Sequence, residues 1–248
     1  MIIVLILVKM LIVGCNKTSE TTEQLNNLLP NDLKNTNILL NIGYSKFKET
    51  DYKDYLILNT TESIKNCLDK KLMFKILKKN QVKCLKYFDL NKNIDKVRTI
   101  FYLLLNKELV LRNEKSLKVI NFKEFKEIFN KKWKYSTLKE NKLIEYRIIV
   151  FKNRIVRAMI KLNTSKDFQI KQENSKFIDI DINKLPKKVL KNIFKAVNSL
   201  KIDLSGIDIL INKKGKFKII EVNSGMSLCS KSIKRFYDIL RYYLFLER

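Results

Sequence analysis

The stretch Ile207 to Asn223, IDILINKKGKFKIIEVN, places Asp208, Glu221 and Asn223 within one predicted β-hairpin. Ile207 to Ile211 is an apolar run, Asn212-Lys213-Lys214-Gly215 is turn chemistry, and Lys216 to Val222 resumes a strand pattern. With residues 212–215 as the loop, Ile211 pairs with Lys216 and Asp208 lies opposite Ile219. Alternation then puts Ile219, Glu221 and Asn223 on the same face as Asp208. Two carboxylates and an amide oxygen form a set of hard donors suited to magnesium, with substrate phosphates and water completing its shell. A turn one residue longer or shorter flips the arrangement, so the expectation depends on register. The residues alone leave open a plain surface hairpin with scattered polar side chains.

A second strand pair carries charge. In Ile144 to Phe151, IEYRIIVF, Glu145 and Arg147 share one face while Tyr146, Ile148 and Val150 share the other. The return strand, IVRAMIK, ends at Lys161. A mixed-charge face in a half-buried sheet is either a structural ion pair or the lining of a nucleotide cleft.

Composition narrows the chemistry. The chain has no histidine, which removes histidine-based triads and the usual zinc sites. Its 4 cysteines, Cys15, Cys67, Cys84 and Cys229, form no CxxC and no evident disulfide framework, so a reducing, cytoplasmic setting is expected. Cys229 lies just past the hairpin, where an incidental thiol is the simpler reading. The formal net charge is +26 over 248 residues. That surplus suits a polyanion partner. However, the lysines are spread along the whole chain, as codon bias in an A/T-rich genome also produces, and no motif of a nucleic-acid-binding family accompanies them.

Met1 to Gly14 is apolar except for Lys9, and Ile12-Val13-Gly14-Cys15 resembles a lipobox. A signal peptide needs a basic segment before its apolar core, whereas here the charge, Lys9, follows eight apolar residues. The stretch is too short for a membrane span, and no stable membrane insertion is expected. A buried strand over 11–14 is favoured, followed by a helix capped by Ser19 or Thr21. Lipid anchoring through Cys15 is the alternative, and Met10 is an alternative start.

The fold class read from the pattern is α+β. Strands are expected at 11–14, 37–41, 55–58, 83–88, 108–112, 143–151, 155–162 and in the hairpin 206–223. Helices are expected at 20–29, 61–66, 69–79, 94–105, 122–130, 185–200 and 231–246. The first 60 residues alternate strand and helix as a small parallel unit does. Helix 185–200 sets Leu185, Val189, Ile193 and Val197 in one apolar stripe, which belongs to the core.

Taken together these pieces resemble the ATP-grasp superfamily, in particular the ribosomal-protein glutamate ligases and small phage or viral ATP-grasp proteins. GIDILINKKGKFKIIEVNSG is similar to the family's metal hairpin, and LIEYRIIVFKNRIVRAMIKL to its EYR hairpin. LVLR resembles the strand whose terminal cation meets ATP phosphates. LNTTESIKNCLDKKLMFKIL matches a segment with an Asn and an Asp-Lys pair, here Asn59, Asp69 and Lys70. LIVGCNKTSETTEQLNNLL and ILLNIGYS resemble the opening elements, although Ile42 replaces an aromatic residue.

The resemblance implies a pre-ATP-grasp α/β unit over 1–60, a small subdomain over 61–140 and a metal- and substrate-binding subdomain over 141–248, with the nucleotide between the two subdomains. It implies ATP and Mg2+ as cofactors, and an unidentified carboxylate and amine, peptide or amino acid in kind, as substrates. The activity is ligation through an acylphosphate. Asp208, Glu221 and Asn223 would hold the metal, Arg147 and Lys161 would act in catalysis, and Lys70, Arg112, Lys118 and Glu145 would hold the nucleotide. Tyr135 to Glu140 is the expected hinge against adenine.

The chain departs from the family pattern in places. Arg112 to Lys118 lacks the glycines of the family's phosphate loop, so Lys115 and Lys118 would have to supply charge in place of close backbone approach. Met226 stands where relatives have a small residue or proline. The segment from Lys161 to Asp179 is short, and Asn174 within it reads as a solvated loop residue rather than a substrate contact. The glycine-free loop keeps a second expectation open: a catalytically degenerate ATP-grasp relative acting as a binding or scaffold protein.

Overall fold

The computed structural model describes residues 10–14, 20–34, 36–113, 117–139, 144–163, 175–212, 214–226 and 228–246. Three sheets organise them.

The first sheet is parallel, in the order β1 (Leu11–Gly14), β2 (Ile38–Ile42), β3 (Leu56–Leu58). Helices α1 (Glu20–Asn27) and α2 (Asn31–Lys34) connect its first two strands. Every residue of β2 is buried, which suits a continuous apolar run in a central parallel strand. This sheet ends against the rest of the chain through glycine. Gly43 has φ +74°, and a Cβ there would come within 3.1 Å of the Gly225 backbone.

Helices α3 (Thr61–Leu68) and α4 (Lys70–Lys79) follow without a loop. The Thr60 hydroxyl accepts from the Ser63 amide (3.2 Å), and the Asp69 carboxylate accepts from the Leu72 amide (3.1 Å). Asp69 thus closes one helix and caps the next. Next come β4 (Tyr87–Asp89), α5 (Asn93–Leu104), β5 (Leu109–Arg112), β6 (Leu117–Ile120) and β7 (Tyr135–Leu138). The strands form an antiparallel sheet in the order β4-β7-β5-β6. The helix expected at 122–130 is a 3-10 stretch at Phe122–Phe129 with a kink at Glu124. The expected hinge begins as a central strand: Tyr135 to Leu138 hydrogen-bonds to neighbours on both sides.

The largest sheet is wholly antiparallel, in the order β10 (Ser175–Asp179), β9 (Arg154–Asn163), β8 (Ile144–Phe151), β11 (Leu204–Ile211), β12 (Phe217–Asn223). Helix α6 (Lys187–Leu200) covers one face, burying Val189, Ile193, Ala196 and Val197 against Ile148, Val150, Ile207 and Ile209. Helix α7 (Ser230–Leu246) and the parallel sheet cover one end of the other face through Ile149, Phe151 and Leu204. The opposite end of that face stays open for the polar residues.

Helices α3 and α4 also belong to the core of the large sheet: Ile64, Met73 and Leu77 pack with Ile219 and Val222. The four-stranded sheet has a separate core around Leu103, Leu111, Ile128 and Trp133. Residues 61–140 are therefore divided between two cores rather than gathered into one.

Asn59 joins the parallel sheet to the large one. It is fully buried with φ 61°, its side-chain oxygen accepts from the Asp203 and Leu204 amides (2.9 and 2.8 Å), and its side-chain nitrogen donates to the Leu204 carbonyl (2.9 Å). Asparagine tolerates this left-handed backbone better than most side chains. The residue fastens the structure together, away from the polar cluster.

Candidate active site between the two antiparallel sheets

The metal hairpin reaches its geometry by a different route from the simple register. The loop is one residue longer than expected: Ile211 pairs with Phe217, and the Asn212 amide donates to the Lys216 carbonyl (3.0 Å). Taken alone, that shift would send Glu221 to the opposite face. A β-bulge at Ile220 inserts one extra residue, so Asp208 lies opposite Glu221 and Gly206 opposite Asn223. The three oxygen-bearing residues return to one face. Asp208 is directly beside Glu221 rather than diagonal to it, about 5 Å away between Cβ atoms.

On its other side Asp208 pairs in register with Arg147, and Arg147 with Met159. The guanidinium donates to both oxygens of Asp208, Nε to Oδ1 at 2.7 Å and Nη2 to Oδ2 at 2.8 Å. This fork-to-carboxylate bond holds Arg147 protonated above its ordinary range, against the opposing effect of burial. Lys161 donates to Glu145 at 2.8 Å, also cross-strand, with both side chains largely buried. Lys70, at the first turn of α4, forms an ion pair with Glu221 at 2.5 Å. Of the nine candidate residues, Lys70, Glu145, Arg147, Lys161, Asp208, Glu221 and Asn223 thus share one polar surface.

Arg112 faces this surface from the smaller sheet. It lines a narrow slot with Lys70, Phe74, Leu85, Tyr135, Thr137, Ile220 and Glu221. The slot has a polar end, where Lys70, Arg112 and Glu221 meet, and an apolar wall formed by Phe74, Leu85 and Ile220. Phe74 stacks on Tyr87 (5.1 Å between centroids), and Tyr87 lies 5.3 Å from Tyr135, so aromatic contacts bridge α4 to the smaller sheet. Burial pushes the Tyr135 phenol up, keeping it neutral. The Leu85 amide donates to the Ile219 carbonyl (3.0 Å), tying the slot wall to the metal hairpin.

Thr137 lies within the expected hinge, where its residue type alone gives no functional signal. Its Oγ1 is buried without a hydrogen-bond partner among the described residues, and the residue lines the slot. A buried hydroxyl without a partner is unfavourable unless something else meets it. Along β7, Thr137 lies two residues from Tyr135, which pairs with Arg112, so the hydroxyl is about 7 Å further from the charged end.

Lys118 does not join the site. It pairs in register with Leu111, whose side chain belongs to the smaller sheet's own core, so it projects from the face opposite Arg112. There it bridges Glu124 and Glu127, each at 3.2 Å, and steadies the 3-10 stretch. Strand alternation accounts for the difference: one step along β6 changes the face. Lys115 and Asn174 lie outside the described residues, as does Cys15. Met226 has a packing role, since it is buried over Gly206, where a Cβ would come within 3.2 Å of the Met226 Cβ.

No protein-family profile and no curated protein matches the chain. Solved structures do. The ATP-grasp ligase PsnB, complexed with a minimal precursor, has a TM-score of 0.67 at 9% identity over 94% of this chain and 99% of that one. A Chryseobacterium gregarium RiPP-associated ATP-grasp ligase, in complex with ADP and a leader and core peptide, has a TM-score of 0.66 at 12% identity, covering 92% and 96%. D-alanine–D-alanine ligase from Bacillus anthracis, complexed with ATP, has 0.64 at 13%, covering 92% and 95%. The chain has the ATP-grasp fold. Within this fold, the slot and the paired carboxylates lie between the two antiparallel sheets. Among the described residues, no helix is long and apolar enough to cross a membrane, and no group of three His, Cys, Asp or Glu gathers as a metal site. The candidate metal set has two carboxylates and one amide, a donor count suited to an ion that takes its remaining oxygens from phosphates and water.

Proposed function

We propose that this chain is an ATP- and magnesium-dependent ligase that activates a carboxylate and joins it to an amine. The observation that carries the reading is the bulged hairpin, which sets Asp208 directly beside Glu221 at the mouth of the slot. Asp208, Glu221 and Asn223 would hold magnesium; when bound, the ion neutralises charge on the β- and γ-phosphates during in-line transfer.

The chain's own residues then divide the remaining work. The apolar wall of Phe74, Leu85 and Ile220 would take the base and Thr137 would meet its edge, which requires the two sheets to part, since the slot as it stands has a volume of only about 10 Å³. Arg112 and Lys70 would face the phosphates, with Lys70 exchanging its bond to Glu221 for one to a phosphate oxygen. Arg147, oriented by Asp208, and Lys161, oriented by Glu145, present positive charge to the reacting carboxylate. A carboxylate oxygen attacks the γ-phosphorus, the bond to the bridging oxygen breaks and ADP leaves. The amine then attacks the acyl carbon, phosphate departs, and the amine proton passes to solvent. Relatives crystallised with precursor peptides, and one that joins D-alanine units, support a peptide or amino acid as substrate.

Calorimetric titration of ATP with and without magnesium tests the reading. Magnesium-dependent binding supports it and justifies screening carboxylates and amines for ADP release. Absence of binding in both conditions overturns it. Binding without turnover on any carboxylate favours a degenerate relative serving as a scaffold. The glycine-free segment after Arg112 and the outward-facing Lys118 are the observations on that side.

A further inference from the structure

A second cavity, of about 340 Å³, opens at the outer edge of the five-stranded sheet, between β9, the end of β10 and the first turns of α7. Its floor is apolar, made by Val156, Ala158, Ile180 and Ile182. Its rim carries the cations Arg157, Lys231, Lys234 and Arg235 against two carboxylates, Asp179 and Asp238.

Both carboxylates already have guanidinium partners. Arg157 grips Asp179 through both oxygens, at 2.6 and 3.2 Å. Arg241, which grips Asp32 at 2.7 and 2.8 Å, also reaches Asp238 at 3.2 Å. Lys231 lies 3.9 Å from Asp179 as a second cation on the same carboxylate. Among the described residues no ion pair involves Lys234 or Arg235. The rim therefore has more positive charge than its own acids neutralise, above a floor that is dry in character. The early turns of α7, a helix of 17 residues, add the positive end of its dipole.

We propose that this cavity binds an organic anion, with a carboxylate or phosphate head against Lys231, Lys234 and Arg235 and an apolar body on the floor below. Its volume lies at the small end of the range for ligand pockets, about 300–1,000 Å³. The cavity also has a fixed relation to the candidate active site. Asp179, Met159, Arg147 and Asp208 occupy one cross-strand row, so its edge lies three strand spacings, about 14 Å, from Asp208 on the same sheet. On the ligase reading, the anion is the far end of an elongated substrate whose reacting group lies at Arg147. That placement rests on the ligase reading; anion binding at the cavity does not.

The test uses the full chain without nucleotide or magnesium. 4-Phenylbutyrate, phenyl phosphate and the neutral 4-phenylbutanol are titrated by calorimetry into wild type, into a Lys234→Glu/Arg235→Glu variant, and into a Lys187→Glu/Lys191→Glu variant. The last carries the same charge change on α6, away from the cavity. At least one anion should bind the wild type saturably while the alcohol does not, and the preferred head group distinguishes a carboxylate ligand from a phosphate ligand. Reversal at the rim should weaken that binding by about tenfold or more, whereas reversal on α6 should change it by less than about twofold. The altered side chains on the rim are exposed, so thermal midpoints should match wild type. No saturable anion binding, equal binding of the alcohol, or equal loss in both charge-reversed variants would each overturn the proposal. ATP titration of the rim variant is read separately: unchanged ATP affinity with lost anion binding supports the cavity alone, and failure of ATP to bind any variant bears only on the ligase reading.

Discussion

On the five-stranded sheet, Arg147, Asp208 and Glu221 lie side by side on three adjacent strands, and each charge is met: Arg147 by Asp208, Glu221 by Lys70, Glu145 by Lys161. On the four-stranded sheet, the slot-facing residues Arg112, Tyr135 and Thr137 include a buried hydroxyl with no partner among the described residues. One wall of the slot is electrostatically complete before anything binds; the other leaves a polar atom unmatched. The contrast suggests a division of labour. The large sheet holds preoriented charge for phosphate chemistry, and the smaller sheet recognises what enters.

The largest expected effect tests the completeness of the first wall. Asp208→Asn removes the carboxylate from a guanidinium whose side chain is only 18% exposed. Leaving that charge without its counter-ion should destabilise the fold by about 3 kcal/mol, as breaking buried pairs does. Chemical denaturation of Asp208→Asn against the Arg147→Met/Asp208→Asn double variant checks this: the double variant should recover part of the loss. If the single variant is as stable as wild type, the pair is not a structural element, and Asp208 is available to a metal without penalty.

Glu221→Gln separates metal binding from stability more cleanly, because Glu221 and Lys70 are partly exposed and their pairing contributes little. Stability should change by less than about 1 kcal/mol. Magnesium-dependent ATP affinity should fall about tenfold, since one of two anionic ligands is lost. Calorimetry with and without magnesium measures both expectations, and an unchanged magnesium dependence would place the metal elsewhere.

The second wall is tested by Thr137→Val. Removing an unmatched hydroxyl should leave thermal stability unchanged or slightly raised, while ATP affinity drops by about 1 kcal/mol, roughly fivefold. Inorganic tripolyphosphate should bind wild type and variant alike. If it weakens in parallel with ATP, Thr137 lies at the phosphate end, and the assigned polarity of the slot is reversed.

How much of this was legible in the sequence differs between the walls for a physical reason. The α+β class, most strands and helices, and the polar surface of the large sheet follow from alternation along β8, β9, β11 and β12. Even there, the simple register failed twice in compensating ways. A loop one residue longer and a bulge at Ile220 bring Glu221 back beside Asp208, and nothing in IIEVN announces a bulge. The smaller sheet was less legible because β6 and β7 have only four residues each and lie beside helical-looking apolar runs. Thr137 carried no signal at all, since its significance lies in what is missing around it. Lys118 was assigned by its nearness to Arg112 in sequence, and cross-strand pairing sets it on the other face.

Lys118 therefore supplies the smallest expected effect and a sharp control on the comparison. With its ammonium shared between Glu124 and Glu127 and its side chain 37% exposed, Lys118→Ala should leave the thermal midpoint close to that of wild type. Its ATP affinity should stay within about twofold of wild type, because at that depth on the far face its charge is screened from the slot by a sheet and by solvent. Arg112→Ala, one strand over and on the near face, should weaken ATP binding by about tenfold in the same titration, since its guanidinium meets the phosphates directly. Equal losses in the two variants would mean that β6 turns its cation toward the nucleotide when ATP binds, and the contrast between the two walls would then describe only the unliganded protein.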